Sequence, residues 1–157
     1  MPSEKEFVLG THDQEIARLA VQHRAWRPRA LAAWQSAGIG PSQTVLDVGC
    51  GPGYASLDLA EAVGPQGRVV AIDKSERFLK AFEEARRDNI ATYCADLENG
   101  EFPQIRAHAV WCRWVLCFVK NPRDVLANML ATRRPGSHDR RGFLAGLEII
   151  ARRTEAL

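Results

Sequence analysis

The chain lacks any apolar run long enough to cross a bilayer. Its first residues, Met1-Pro-Ser-Glu-Lys-Glu, lack the basic and apolar stretches of a signal peptide. Cysteine is scarce: the four residues Cys50, Cys94, Cys112 and Cys117 form no Cys-x-x-Cys pair, and no histidine stands beside them at metal-ligand spacing. The expectation is reduced core thiols, no metal and a cytoplasmic protein. Aromatic residues make up only 8%, and none interleaves the arginines that crowd the end of the chain, Arg133, Arg134, Arg140, Arg141, Arg152 and Arg153. Without rings to stack bases, that basic run reads as a solvated face, and no nucleic-acid partner is expected.

What is present suffices for one domain. The chain has 157 residues, 46% of them hydrophobic and 25% charged, with a formal net charge of +2, which is ordinary for a soluble globular fold. Residues 1–10 read as a loose lead-in. Asp13 can cap a helix beginning near Gln14, with Ile16, Leu19, Ala20 and His23 on one face. Pro28 is expected to interrupt it, and a second helix to run over residues 29–37 until Gly38, Gly40 and Pro41. Together they form an N-terminal helical segment, residues 1–40.

The pattern changes at Gln43. Thr44-Val45-Leu46-Asp47-Val48 reads as a buried strand, and Gly49-Cys50-Gly51-Pro52-Gly53 as a turn. A helix is expected over residues 54–63, a strand over 68–72 ending at Asp73, and a helix capped by Ser75 running to about Arg87. A third strand follows over 90–94, a fourth over 109–116, and a helix from Pro122 to about Thr132. Strands alternating with helices imply a Rossmann-like, doubly wound α/β fold: a mostly parallel sheet with helices on both faces.

In such sheets ligands bind beyond the carboxyl ends of the strands. Glycines at alternate positions let the backbone approach a ligand with no Cβ in the way, and the helix that follows aims its unpaired N–H groups at it. Asp73, twenty residues past Gly53, can accept two hydrogen bonds from a ribose diol. Asp96, in Ala95-Asp96-Leu97, can accept from an exocyclic amine. The dinucleotide fingerprint reads Gly-x-Gly-x-x-Gly, but this bend reads Gly-x-Gly-x-Gly, with Asp47 two residues ahead. A carboxylate there repels a pyrophosphate and suits a cationic ligand with an amino-acid tail, which disfavours a nicotinamide-dependent oxidoreductase.

The run from Val45 to Gly53 resembles the first motif of the class I S-adenosylmethionine-dependent methyltransferases. Asp73 and Asp96 match the family's second and third acidic positions, and Arg134-Pro135-Gly136 resembles the turn before its fifth strand. The resemblance covers residues 43–137, within a core taken as residues 41–137. It implies S-adenosyl-L-methionine as cofactor, with Gly49, Cys50, Gly51 and Gly53 passing close to its methionine part. Asp47 would lie near its amino group, Asp73 and Lys74 at the ribose, and Ala95, Asp96 and Leu97 at the adenine. Arg113 would line the methyl-transfer site, or pair with Asp47 or Asp96. Catalytic residues stay unassigned.

Other residues read as structural. Trp111 and Trp114 are expected in the core, His23 and Trp26 in the packing of an N-terminal lid, and His108 on the surface. Residues 138–157 depart from the family. They read as an atypical, helical tail, with 143–149 as an alternative fifth strand, so the sheet is expected to be incomplete at its C-terminal end. Two functions remain open. One is transfer of a methyl group to a small-molecule acceptor. The other is a C-terminally truncated, non-catalytic member that binds the cofactor weakly or associates through an exposed sheet edge.

Overall fold

A computed structural model describes residues 13–132 of the chain. Four strands form one sheet: β1 (Thr44–Val48), β2 (Arg68–Asp73), β3 (Ile90–Cys94) and β4 (Ala109–Cys112). Their order is β3-β2-β1-β4, and every adjacent pair is parallel. The chain steps outward from β1 to β3 and then returns to the other side of β1. That reversal opens a crevice between β1 and β4 at their carboxyl ends.

Alternation along the strands divides the core into two layers. Val45, Val69, Ala71 and Trp111 pack beneath three helices: α1 (Asp13–Ser36), α2 (Tyr54–Val63) and α3 (Glu76–Glu83). Leu46, Val70, Ile72 and Val110 face the other way, onto α4 (Pro122–Ala131) through Val125 and Met129. Burying a side chain such as Leu59 or Phe82 completely stabilises the fold by roughly 2–3 kcal/mol. The helix ends follow local chemistry. Ser75 accepts from the N–H of Phe78 to open α3. Asn121 caps α4, whose first position is Pro122.

Four expectations change; one is that α3 ends at Glu83, short of Arg87. Pro28 does not divide the first helix: α1 is continuous through it. Pro28 and Arg24 are both exposed, so the Arg24 carbonyl left without its N–H partner can turn to water. Asp13 lies within α1, where its carboxylate meets Arg77 at 2.7 Å. β4 stops at Cys112, short of Leu116. Its partner β1 ends at Val48, opposite Cys112, so among the described residues those beyond have no neighbour to continue the ladder. There the chain bends, and Trp114 takes a left-handed backbone with φ of 61°. The turn 134–136, the C-terminal arginines and the tail expected over 138–157 lie outside the described residues.

Candidate functional site at the carboxyl ends of the strands

The bend after β1 carries three glycines, all left-handed, but they serve different ends. A Cβ on Gly49 would stand 2.1 Å from Cγ2 of Val115, and one on Gly53 would stand 2.3 Å from the Phe82 ring. Both are required by packing within the chain. A Cβ on Gly51 (φ +54°) would meet nothing within 4 Å. Gly51 alone presents bare backbone to open space, where a ligand can approach.

Hydrogen bonds fasten this bend to β2. The N–H of Cys50 donates to the Ile72 carbonyl at 2.9 Å, and the N–H of Gly51 donates to Oδ2 of Asp73 at 2.8 Å. Oδ1 of Asp73 accepts from the N–H of Ser75 at 2.8 Å. Each carboxylate oxygen has a second lone pair, so Asp73 can still accept from a diol. Burial pushes the Asp73 carboxyl up from its ordinary range, against the pull of its backbone donors. The main chain of Asp73 also accepts from the N–H of Ala95 at 3.1 Å, which ties the bend after β3 to the same corner. In that bend Asp96 accepts from the N–H of Glu98 at 2.9 Å and opens a single 3-10 turn, Leu97–Asn99, with Leu97 buried. Lys74 is half-buried beside Asp73.

Asp47 lies in the middle of the sheet, level with Ala71 and Trp111, and is 2% exposed. Ser56 on α2 donates to it at 2.5 Å. Burial raises the Asp47 carboxyl to about 6, although the Ser56 hydroxyl and the Arg113 charge both favour its ionised form. Arg113 hydrogen-bonds neither Asp47 nor Asp96. Its Nη2 donates to Nδ1 of His23 at 3.0 Å. An arginine cannot accept, so the Nδ1 lone pair is used and the His23 proton sits on Nε2, which faces Asp58 at 2.9 Å. Arg27 also donates to Asp58, at 2.8 Å. Burial lowers both the His23 and Arg113 pKa values, and Arg113 lowers His23 further. His23 therefore rests neutral, joining α1, α2 and the end of β4.

The remaining expectations divide. Trp111 is a core residue, edge-on to Trp34 at 5.2 Å. Trp114 is only half-buried, edge-on to Trp26, with the Arg113 guanidinium 4.6 Å above its ring. His108 is a clamp at the sheet's other end, where its Nδ1 accepts from the N–H of Thr44 at 2.9 Å. All four thiols are free. Cys50 and Cys112 are buried, but Cys94 and Cys117 are exposed, since one closes the edge strand β3 and the other follows the bend after β4. Ser56 and Asp58 were not anticipated. The signal for Ser56 was a serine in the buried register of α2, with Leu59, Ala60 and Val63. A wide recess lined by Gly64, Arg68, Arg87 and Asn89 lies at the amino ends of β2 and β3, away from these groups. No group of three or more metal-ligating side chains occurs among the described residues, and no described helix is long and apolar enough to cross a membrane.

A parallel sheet with a glycine bend at its switch point and an acidic residue closing the next strand defines a Rossmann-like nucleotide-binding protein. The sequence model of the methyltransferase domain matches residues 45–136. The chain belongs to that family, the class I S-adenosylmethionine-dependent methyltransferases, whose cofactor is S-adenosyl-L-methionine. It is 30% identical over 119 residues to the ubiquinone/menaquinone biosynthesis C-methyltransferase of Ectopseudomonas mendocina, covering 73% of this chain and 45% of that protein. The fold resembles a SAM-dependent methyltransferase from Aquifex aeolicus (TM-score 0.65, 20% identity, 76% of this chain and 67% of the other). It also resembles one from Geobacter sulfurreducens solved with S-adenosyl-L-homocysteine (TM-score 0.56, 20% identity, 69% and 45%). The chain spans between about a quarter and a half of the length of the first curated relatives it matches. The residues present fit the cofactor: open space over Gly51 admits it, and Asp73 keeps acceptor capacity.

Proposed function

We propose that this chain binds S-adenosyl-L-methionine at the carboxyl ends of β1, β2 and β3 and transfers its methyl group to a small-molecule acceptor. The observation that carries the reading is the bond from Gly51 to Asp73, which holds an uncovered backbone turn against the one carboxylate suited to a ribose. The cofactor supplies, when bound, a methyl group made electrophilic by its sulfonium. This chain supplies position and charge. Gly51 lets the main chain pass close to the methionine part, between the packed Gly49 and Gly53, with Cys50 in the same bend. Asp47 sits behind the bend as a negative charge for the amino group, reached through water. Asp73 and Lys74 take the ribose, and Ala95, Asp96 and Leu97 take the adenine. Arg113 lines the side next to β4. The helix α1 covers the crevice as a lid, tied to α2 through Asp58.

The reading needs no protein nucleophile, because holding the acceptor in line and excluding water carries the rate. The names of the quinone-biosynthesis relatives favour a small organic acceptor. Four free cysteines favour a reducing cytoplasm. Calorimetric titration with S-adenosyl-L-homocysteine tests the binding. The parent chain should bind it and ignore NADH. The Asp73→Ala variant should lose at least about tenfold in affinity, the value of one charge-assisted pair to a diol. A parent that does not bind, or a variant that binds as tightly as the parent, overturns the assignment. Binding without transfer to any naphthoquinol or phenol acceptor would leave a cofactor-binding member without catalysis.

A further inference from the structure

Two donors in the bend after β4 are shut away from water and have no acceptor among the described residues: Nη1 of Arg113 and Nε1 of Trp114. They are neighbours in sequence and stacked in space, with the guanidinium 4.6 Å from the indole centroid. Trp114 makes this contact from a left-handed backbone, with φ of 61°. Buried donors are normally paired, and an orphaned pair on adjacent residues marks a site whose acceptor comes from elsewhere. The cover over them is α1, through Trp26 edge-on to Trp114 and His23 bonded to Arg113. A ligand reaches the pair when α1 lifts.

Among the described residues the polar groups nearest them are committed. The Nδ1 lone pair of His23 is taken by Arg113, its other nitrogen faces Asp58, and the buried Asp47 accepts from Ser56. A site with two free donors, one of them cationic, is built for an anionic acceptor. The geometry points to Arg113 and Trp114 as the receptor for an anionic oxygen of the methyl acceptor, a phenolate or enolate. This rests on the methyltransferase reading above. The charge balance agrees. The acceptor's oxygen, or the carbon conjugated to it, forms the new bond to the methyl carbon as the carbon–sulfur bond breaks. Its electron pair stays on sulfur, so a cation and an anion give two neutral products. With transfer to oxygen no proton leaves; with transfer to carbon one is lost later to water.

The probe is 4-nitrophenol, whose anion absorbs visible light, added to the complex with S-adenosyl-L-homocysteine. Bound to the parent chain it should ionise about one pH unit lower than in water, through the neighbouring cation and hydrogen bonds. Arg113→Met should abolish that shift. Trp114→Phe keeps an aromatic ring but removes the indole N–H, and should reduce the shift about threefold while leaving nucleotide affinity intact. An unshifted phenol in the parent complex overturns the inference, as does a full shift in Arg113→Met. The cofactor's own carboxylate is the rival source of the anion. If Arg113→Met weakens S-adenosyl-L-homocysteine but not 5′-methylthioadenosine, which lacks the amino-acid tail, the pair serves that carboxylate and the inference fails. Failure of the parent to bind S-adenosyl-L-homocysteine removes the methyltransferase reading itself, and this inference with it.

Discussion

The bend after β1 and the bend after β4 flank the same crevice, yet they are built in opposite ways. Around the first, polar groups pair within the chain: Gly51 with Asp73, Asp73 with Ser75, Asp47 with Ser56. Its left-handed residues are glycines, which adopt that conformation without strain. Around the second, a tryptophan takes the left-handed turn, at a cost of about 1–2 kcal/mol, and two buried donors face no acceptor among the described residues. The first bend is complete as folded and offers a ligand only bare backbone and spare lone pairs. The second is incomplete and waits for an acceptor. A cofactor common to a family can be met by a self-sufficient frame, whereas a particular acceptor must satisfy groups that the fold leaves open.

The comparison breaks most sharply at the glycines. Gly53→Ala should destabilise the chain by about 3 kcal/mol or more, since a Cβ meets the buried Phe82 ring in a left-handed turn. Urea unfolding measures it. A loss under about 1 kcal/mol would mean that the frame yields more readily than its packing implies.

Asp47 tests the electrostatic side. Its carboxyl is raised from 3.8 to about 6, so the folded chain holds that proton more tightly than the unfolded chain. The resulting stabilisation is present below pH ~4 and is lost as pH rises through ~6, a change on the order of 3 kcal/mol. His23, lowered by burial, works in the opposite direction: its contribution is present above its unfolded pKa and is lost as pH falls through the folded value. Asp47→Asn should therefore remove the fall in unfolding free energy across pH 4–6 while keeping the trend from His23. An unchanged pH profile would show that Asp47 is better solvated than its burial implies.

Gly51→Ala sharpens the contrast with the smallest effect on stability, about 1 kcal/mol for the left-handed turn alone, because its Cβ meets open space. Affinity for S-adenosyl-L-homocysteine should nevertheless fall by at least about tenfold, since the methyl group occupies the approach to the backbone. Loss of stability as large as that of Gly53→Ala, with binding retained, would erase the distinction between the two glycines.

Much of the frame was readable beforehand. Short β-branched runs placed β1, β2 and β3 correctly, the first two flanked by Gly-Pro turns, and Ser75 and Pro122 announced α3 and α4. The errors fall where tertiary neighbours override local preference. Pro28 breaks helices on average, but solvent on that face of α1 tolerates it. Residues 114–116 are apolar enough for a strand, but no strand lies beside them among the described residues. His108 offered no local sign that its ring would seal the start of β1. Arg113 was singled out, but its partner was not, because His23 lies ninety residues away on α1.

The linear order of residues determined the class of fold and the proposed place of the ligand, since hydrophobic period, turn chemistry and the spacing from Gly53 to Asp73 are properties of neighbours along the chain. Only the folded arrangement decided which glycine is open, which carboxylate is desolvated, and which donors go without acceptors. Those depend on what each atom meets across the crevice, and burial and hydrogen-bond pairing are properties of neighbours in space.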